Sequence, residues 1–486
     1  MTGVLDLRPI VPAVIVALTG VFVLLVQAFT PKGKAAPSST LSVTGLVAAL
    51  LSVWLLATGG ARGAVMAQAV AADDFALFFH ALILSIAVIA VLLSRSYLEA
   101  NGMERGEHYA LLLFSVVGML GLVSSLELVS LFVALEIMSI ALYGLAGMQR
   151  GRVQSQEAAL KYFVTGAFSS AFFLYGVALL YGVSGSTQLS RVAQQLALLS
   201  PDTSGLAILG TALLLVGFGF KIASVPFHMW VPDVYEGAPT PTTAFMAAGV
   251  KAAAFGALLR VLALALPGLA ASWRPLVAVL AIVTMVVGNL AALAQPRLKR
   301  MLAYSSIAHA GYLLTALVAA PGLAGEAMLF YLVGYAAVNL GGFGAIAALA
   351  REGREPVRID DLAGLAQRRP ALAAALAVYL VSLTGIPLTA GFVGKFYLFN
   401  AAVAAGWVTL AIVGVVMSVV SAYYYLGVVV VMYMRDPVGE DTWAAVSPAS
   451  GFALAFSAGV ALVLGVWPAP LLALARIAAH SLLSSY

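Results

Sequence analysis

Cysteine is absent from the 486 residues, which excludes thiolate-ligated iron–sulfur clusters, cysteine-based zinc sites and disulfides within the chain. Charge is scarce as well: 9% of residues are charged, against about 25% in soluble domains. Phosphate-loop, GxGxxG, HExxH and GxSxG patterns are missing, as is any carboxylate cluster of metal-binding type. Nucleotide binding and hydrolytic chemistry by this chain are thereby disfavoured.

Apolar residues fill the space, at 63% of the chain and a mean hydropathy of +1.04. They recur in runs of about 20 residues, the length of a transmembrane helix. The short alternating segments of a membrane barrel do not occur. Helices are expected near 9–29, 41–57, 75–97, 109–125, 126–148, 157–184, 205–230, 240–265, 274–294, 299–320, 325–350, 371–402, 406–434 and 447–476. This is an all-α polytopic membrane protein of about 14 helices. The first helix is retained rather than cleaved, since its run is long and no basic segment precedes it. Residues 188–200 are too short and polar to span and suit an amphipathic interfacial helix.

The net charge of +5 is spread over loops, so it carries topology rather than marking a nucleic-acid surface. One side collects Lys32, Lys34, Arg95, Arg105, Arg150, Arg152, Arg297, Lys299, Arg300, Arg351, Arg354, Arg358, Arg368, Arg369 and Arg435. The other holds Arg8, Arg62, Arg191, Arg274 and Arg476. The bias makes the first side cytoplasmic and puts both termini on the non-cytoplasmic side.

Lys161, Lys221, Lys251, Arg260 and Lys395 remain, inside predicted helices. Arg260, late in its helix, is expected to snorkel to the interface. A lysine at mid-membrane costs about 2.5–3.5 kcal/mol, so four would add about 10–14 kcal/mol, comparable to the stability of a whole domain. One such lysine is explained by a structural ion pair; four on four helices point to a transport path. Glu136 is the natural counter-ion, whereas Glu127 reads as an interfacial or capping residue. A buried Glu–Lys pair titrates as a unit, and its proton shifts when another charge approaches. His228 and His309 add groups that titrate near neutral pH. A lone helical histidine is often only a packing residue, and for His309 both readings stay open.

Pro226 near Lys221 and Pro387 near Lys395 mark two broken helices. Breaks at membrane depth are tolerated where freed carbonyls meet protein or water, and they commonly bind ions. Taken as units, helices 4–8 and 9–13 each have the broken helix fourth, and an odd number of helices inverts the second copy. The resulting divisions are 1–108, 109–265, 266–434 and 435–486, with Glu136 corresponding to His309.

"KIASVPFHMWVPDVYEGAPTPTTAF" with the following "VKAAAF", "LKRMLAYSSIAHAGYLL", "GIPLTAGFVGKFYLF" and "DLAGLAQRRP" resemble the signature of the antiporter-like subunits of respiratory complex I. The resemblance runs over nearly the whole chain. Within that family the two larger subunit types carry a carboxylate on the twelfth helix, whereas the N type, counterpart of mitochondrial ND subunit 2, carries lysine, as here at Lys395. No long lateral helix follows residue 476, which also separates the chain from the L type.

The resemblance implies proton translocation across a bacterial inner membrane, driven by electron transfer from NADH to quinone elsewhere in the complex. Glu136 and Lys221 would form the pair at the start of the half-channel, Lys251 the central lysine and Lys395 the outlet-side group. Lys161, His228 and His309 would be accessory relay groups. No cofactor is implied in this chain; NAD, FMN, iron–sulfur clusters and quinone belong to other subunits. Implied partners are the lipid bilayer and other membrane-arm subunits, with antiporter-like subunit M and small subunit K as neighbours, and no nucleic acid. Multi-subunit cation/proton antiporters and membrane-bound hydrogenases share the broken-helix signature and form the runner-up. A scaffold whose buried pairs only hold helices together is the remaining alternative.

Overall fold

Apolar segments of this length can satisfy their backbone groups in a membrane only within the segment, and helices result. The computed structural model describes residues 7–31, 36–60, 63–66, 68–198, 201–350, 355–437, 443 and 445–484. Lys32, Lys34, Arg62, Arg351 and Arg354 of the charge tally lie outside the described residues. The chain begins with α1 (Val11–Phe29), α2 (Ser38–Thr58) and a hairpin of β1 (Gly63–Val65) with β2 (Val70–Ala72). There follow α3 (Asp74–Ala100), α4 (Gly106–Ser124), α5 (Leu128–Ala146), α6 (Val153–Ser184) and the short α7 (Leu189–Leu196). Next come α8 (Pro201–Ile222), α9 (Val231–Gly237), α10 (Thr240–Phe245) and α11 (Lys251–Leu264). The rest comprises α12 (Ala270–Leu293), α13 (Leu298–Ala316), α14 (Pro321–Ala348), α15 (Leu365–Arg368), α16 (Pro370–Thr384), α17 (Ala390–Ala404), α18 (Val408–Met434), α19 (Pro448–Val466) and α20 (Ala469–Ser484).

Among the described residues, twelve helices are long and apolar enough to cross a membrane, so the protein is multi-pass. One of them joins α10 to α11 through a π turn at Met246–Val250. Three expected spans come out differently. The segment at 205–230 stops as α8 at Ile222, and that at 371–402 is two helices, α16 and α17. The last expected span, 447–476, is split at Trp467, which leaves the helical region at φ −132°, ψ 72°. Pro468 then lacks the donor that would continue the helix. Its continuation, α20, packs on α14 and α3, and the Phe75 amide donates to Ser481 Oγ at 3.0 Å. The amphipathic segment is α7, which buries Leu189, Val192 and Leu196.

Two helix pairs pack by the same contact. A Cβ on Gly118 of α4 would come within 2.3 Å of the Met138 nitrogen of α5, and one on Gly288 of α12 within 2.6 Å of the Ala308 nitrogen of α13. Only glycine permits so close an approach. The turn of each pair bonds to a segment beyond the next long helix. Leu128 donates to Thr187 and Leu189 to Leu126; likewise Leu298 donates to Val357 and Ile359 to Pro296. Each residue of the second set stands 170 positions after its counterpart in the first. In that register Glu136 corresponds to Ser306, and His309 lies nearly one turn further along α13. α10, α11 and α14 form the buried centre between the pairs.

Candidate functional site

Both helix breaks close in the same way. After α8, Ala223 adopts φ +65°; its amide donates to Phe220 at 3.2 Å and the Ser224 amide to Gly219 at 2.8 Å. After α16, Gly385 adopts φ +88°; its amide donates to Ser382 at 3.0 Å and the Ile386 amide to Val381 at 3.3 Å. This is the Schellman pattern of a helix end. At the first break the Trp230 indole also donates to the Phe220 carbonyl at 3.1 Å, and the Val225 amide to Thr284 Oγ1 at 3.0 Å. Each break is therefore a satisfied terminus placed inside the bundle, and the second turns its C-terminal carbonyls and negative dipole end toward Lys395.

Lys221, in the last turn of α8, is 2% exposed. Its Nζ has no hydrogen-bond partner and faces the rings of Phe220, Tyr162 and Tyr143 at 5.1, 5.4 and 5.6 Å. The hydroxyls of Tyr143 and Tyr162 are likewise buried without a partner. Glu136, half-buried on α5, accepts a hydrogen bond from Ser170 Oγ of α6. The expected Glu136–Lys221 contact pair is thus not formed: Glu136 is held by Ser170 and the Lys221 ammonium by aromatic rings, with a gap between the two charges. The reason is packing: α6 lies against both α5 and α8 and supplies Tyr162 and Ser170.

Lys251, just past the π turn, is 1% exposed; it donates to the Ser306 carbonyl and sits 5.5 Å from the centre of the Tyr335 ring. Ser306 Oγ pairs with Tyr335 OH at 2.9 Å. His309 has both ring nitrogens occupied, Nδ1 by Tyr331 OH and Nε2 by Tyr425 OH at 3.1 Å; Tyr425 in turn bonds Ser305 Oγ. Lys395 donates to the Leu383 and Thr384 carbonyls at 3.0 and 2.9 Å and lies 4.7 Å from the Tyr312 ring centre. The His309 ring lies 5.3 Å from both the Tyr335 ring beside Lys251 and the Tyr312 ring beside Lys395. The structure therefore brings Lys251, His309 and Lys395 into one tyrosine-lined cluster, with Lys221 and Glu136 in a second.

Two accessory candidates lie apart from these clusters. Lys161 is not a buried lysine: its side chain is 42% exposed and forms ion pairs of 2.6 Å with Glu157 and with Asp233 of α9. Two turns into α6 it still lies at the helix end, where carboxylates are available. His228 is half-buried beside the exposed Pro226 and Met229, and its Nδ1 has no partner. Arg260 does not snorkel. It is 0% exposed, forks onto Asp73 at 2.6 and 2.9 Å, donates to the Val123 carbonyl at 2.9 Å and lies over the Phe75 ring. A partner on a neighbouring helix removes any reason to reach for water. Asp73 also caps α3 by accepting from the Ala76 amide at 2.7 Å.

Sequence reasoning missed the tyrosine rings beside Lys221, Lys251 and Lys395, and Glu355. The Glu355 carboxylate is 6% exposed and meets Lys299 at 3.1 Å and Arg152 at 3.5 Å. The "DD" before α3 was the available signal for Arg260; nothing local marks Glu355.

Residues 125–421 match the family described as NADH:quinone oxidoreductase/Mrp antiporter, TM. A curated relative, NADH-quinone oxidoreductase subunit N of Trichlorobacter lovleyi, is 44% identical over 475 residues, covering 97% of this chain and 96% of the relative. A chain of respiratory complex I from Thermus thermophilus with bound aureothin is 39% identical, with a TM-score of 0.81 over 96% of this chain and 99% of that one. A chain of the archaeal membrane-bound sulfane sulfur reductase superposes with a TM-score of 0.86 at 25% identity, over 98% and 97% of the two chains. Two breaks bearing buried lysines, a shared fold and relatives of the same length agree, and the chain belongs to the NADH:quinone oxidoreductase/Mrp antiporter transmembrane family, in the branch occupied by NADH-quinone oxidoreductase subunit N.

Proposed function

We propose that this chain is a proton-translocating membrane subunit of an NADH:quinone oxidoreductase in a bacterial inner membrane. It carries no redox chemistry itself; NAD, FMN, iron–sulfur clusters and quinone are bound by other subunits. Its partners are other membrane-arm subunits of that complex, with an antiporter-like subunit M and a small subunit K as neighbours. Both termini face away from the cytoplasm. The similarity along the whole chain to subunit N relatives at 44% identity supports this reading over a cation/proton antiporter or hydrogenase subunit.

The observation that carries the mechanism is Lys221: a buried ammonium with no hydrogen bond, beside two unpartnered tyrosine hydroxyls. A charge so placed is stabilised only by ring quadrupoles, by Glu136 across the gap and by any water it admits. Adding or removing a proton at Glu136 therefore changes the stability of the Lys221 charge directly. A proton released from Lys221 is passed toward Lys251, then through the His309 and tyrosine cluster to Lys395. There the carbonyl end of α16 holds the ammonium. Moving one charge against 100 mV costs about 2.3 kcal/mol, so the driving force comes from redox chemistry elsewhere in the complex. His228 acts as an accessory group on the first break. Lys161 is an accessory relay group in the same reading, and its ion pair with Asp233 also positions α9.

The reading is tested by tagging the chain in its native membrane and identifying what co-purifies. Flavin- and iron–sulfur-bearing partners with NADH:quinone activity are expected. Recovery only with antiporter subunits, without flavin or iron, would contradict it.

A further inference from the structure

The stretch "AFSSAFF" puts two serines side by side on α6, the helix that lies against both α5 and α8. Adjacent residues of a helix point in different directions, and the two hydroxyls serve different neighbours. Ser169 Oγ donates to the Gly217 carbonyl of α8 at 3.5 Å. Ser170 Oγ donates to the Glu136 carboxylate of α5. Both serines are buried. Tyr162, Gly166 and Ser170 follow at four-residue spacing and form one stripe of α6. Tyr162 flanks the Lys221 ammonium at 5.4 Å, Gly166 leaves room for the Tyr143 hydroxyl, which a Cβ there would strike, and Ser170 takes Glu136.

On α5, Tyr143 and Glu136 stand seven residues apart, about 10 Å along the axis. The Lys221 ammonium lies 5.6 Å from the centre of the Tyr143 ring. The two charges are therefore held at different levels between the same helices. Helical side chains lean toward the N-terminus of their helix, which on α5 carries Glu136 further from Tyr143. The Lys221 stem is flexible, and its ammonium has no hydrogen bond to give up. Glu136 has one: among the described residues, the bond from Ser170 is the only hydrogen bond it accepts.

We infer that Ser170 is a positioning residue of the relay: its hydroxyl holds Glu136 away from Lys221, and the pair closes when the carboxylate leaves Ser170 for the ammonium. The inference deepens the proposed proton translocation and rests on it. Serine suits this task because a second partner is at hand. With Glu136 gone, its hydroxyl turns to the Gly166 carbonyl one turn back on α6, so neither arrangement leaves it unsatisfied. No proton changes hands in the exchange: Ser170 keeps its own, Glu136 stays ionised, and Lys221 keeps its three. Reopening returns Glu136 to Ser170 and Lys221 to its rings, where the charge is least compensated and the proton most easily passed on. Alanine at position 170 leaves the half-buried carboxylate no donor but Lys221, and the pair stays shut.

The test uses the assembled complex in sealed vesicles, with NADH-driven proton translocation measured against the content of intact complex. S170A should lower the translocation rate about tenfold, as expected for one lost hydrogen bond to a charged group, and S170T should restore most of it. S169A removes the neighbouring hydroxyl and leaves Glu136 untouched, so it should translocate at close to the wild-type rate. Wild-type translocation by S170A overturns the inference. So does a loss that S170T fails to rescue, or an equal loss in S169A, since either marks a packing role. S170C, of similar size with only a weak donor, serves if S170A does not assemble, and full translocation by S170C overturns the inference as well. E136Q run in parallel separates the two claims. Translocation lost in E136Q but intact in S170A removes only the role of Ser170; translocation intact in E136Q removes the function on which it rests.

Discussion

The two broken helices share a backbone and differ in their lysines. At Gly385 the lysine comes from the following half-helix, and its ammonium caps the carbonyls of Leu383 and Thr384. At Ala223 the lysine belongs to the ending helix itself, and its ammonium meets rings. The indole of Trp230 and the hydroxyl of Thr284 take up the polar groups freed there. One break therefore holds its charge in a settled electrostatic contact, while the other leaves its charge uncompensated. A charge without a bond responds most to a change at Glu136. Under the proposed function, Lys221 is the switch and Lys395 the holding position.

Arg260 is the reference for a charge that is purely structural. R260M leaves Asp73 buried and unpaired, and should destabilise the chain by about 3–5 kcal/mol, read as lost assembly or a lower unfolding temperature of the complex. At the second break, K395M strips two carbonyls of their donor and should cost about 1–3 kcal/mol by the same measurement. T284V orphans the Val225 amide at the first break, with an expected cost of about 1–2 kcal/mol. K221M breaks no hydrogen bond and removes a buried charge; its unfolding temperature should match or exceed that of the wild type. A K221M loss as large as that of K395M would erase the distinction between the breaks.

What could be read in advance was whatever hydropathy and charge encode along the chain. The lysines in apolar runs stood out because insertion penalises them, and Pro226 and Pro387 marked the breaks to within a few residues. The break itself falls earlier in both cases, at the positive-φ residues Ala223 and Gly385, since helix closure depends on carbonyl bonding that a proline only permits. Lateral partners were not readable. That α6 lies between α5 and α8, separating Glu136 from Lys221, is a fact of packing. Lys161 and Arg260 were misjudged for the same reason: Asp233 and Asp73 are 72 and 187 residues away in sequence. Tyrosine in an apolar run gives no local sign of whether it faces lipid, as the exposed Tyr175 and Tyr423 do, or lines a lysine cluster, as Tyr143, Tyr331 and Tyr335 do.

The central claim is that Lys221 changes its charge in response to Glu136 and drives the relay. Its most direct test is NADH-driven proton translocation by assembled complexes carrying K221A or E136Q, set beside the double variant. Translocation should be lost in each single variant with assembly intact, and the double variant should be no worse than either, because the two groups act as one unit. Full translocation in both single variants would contradict the account.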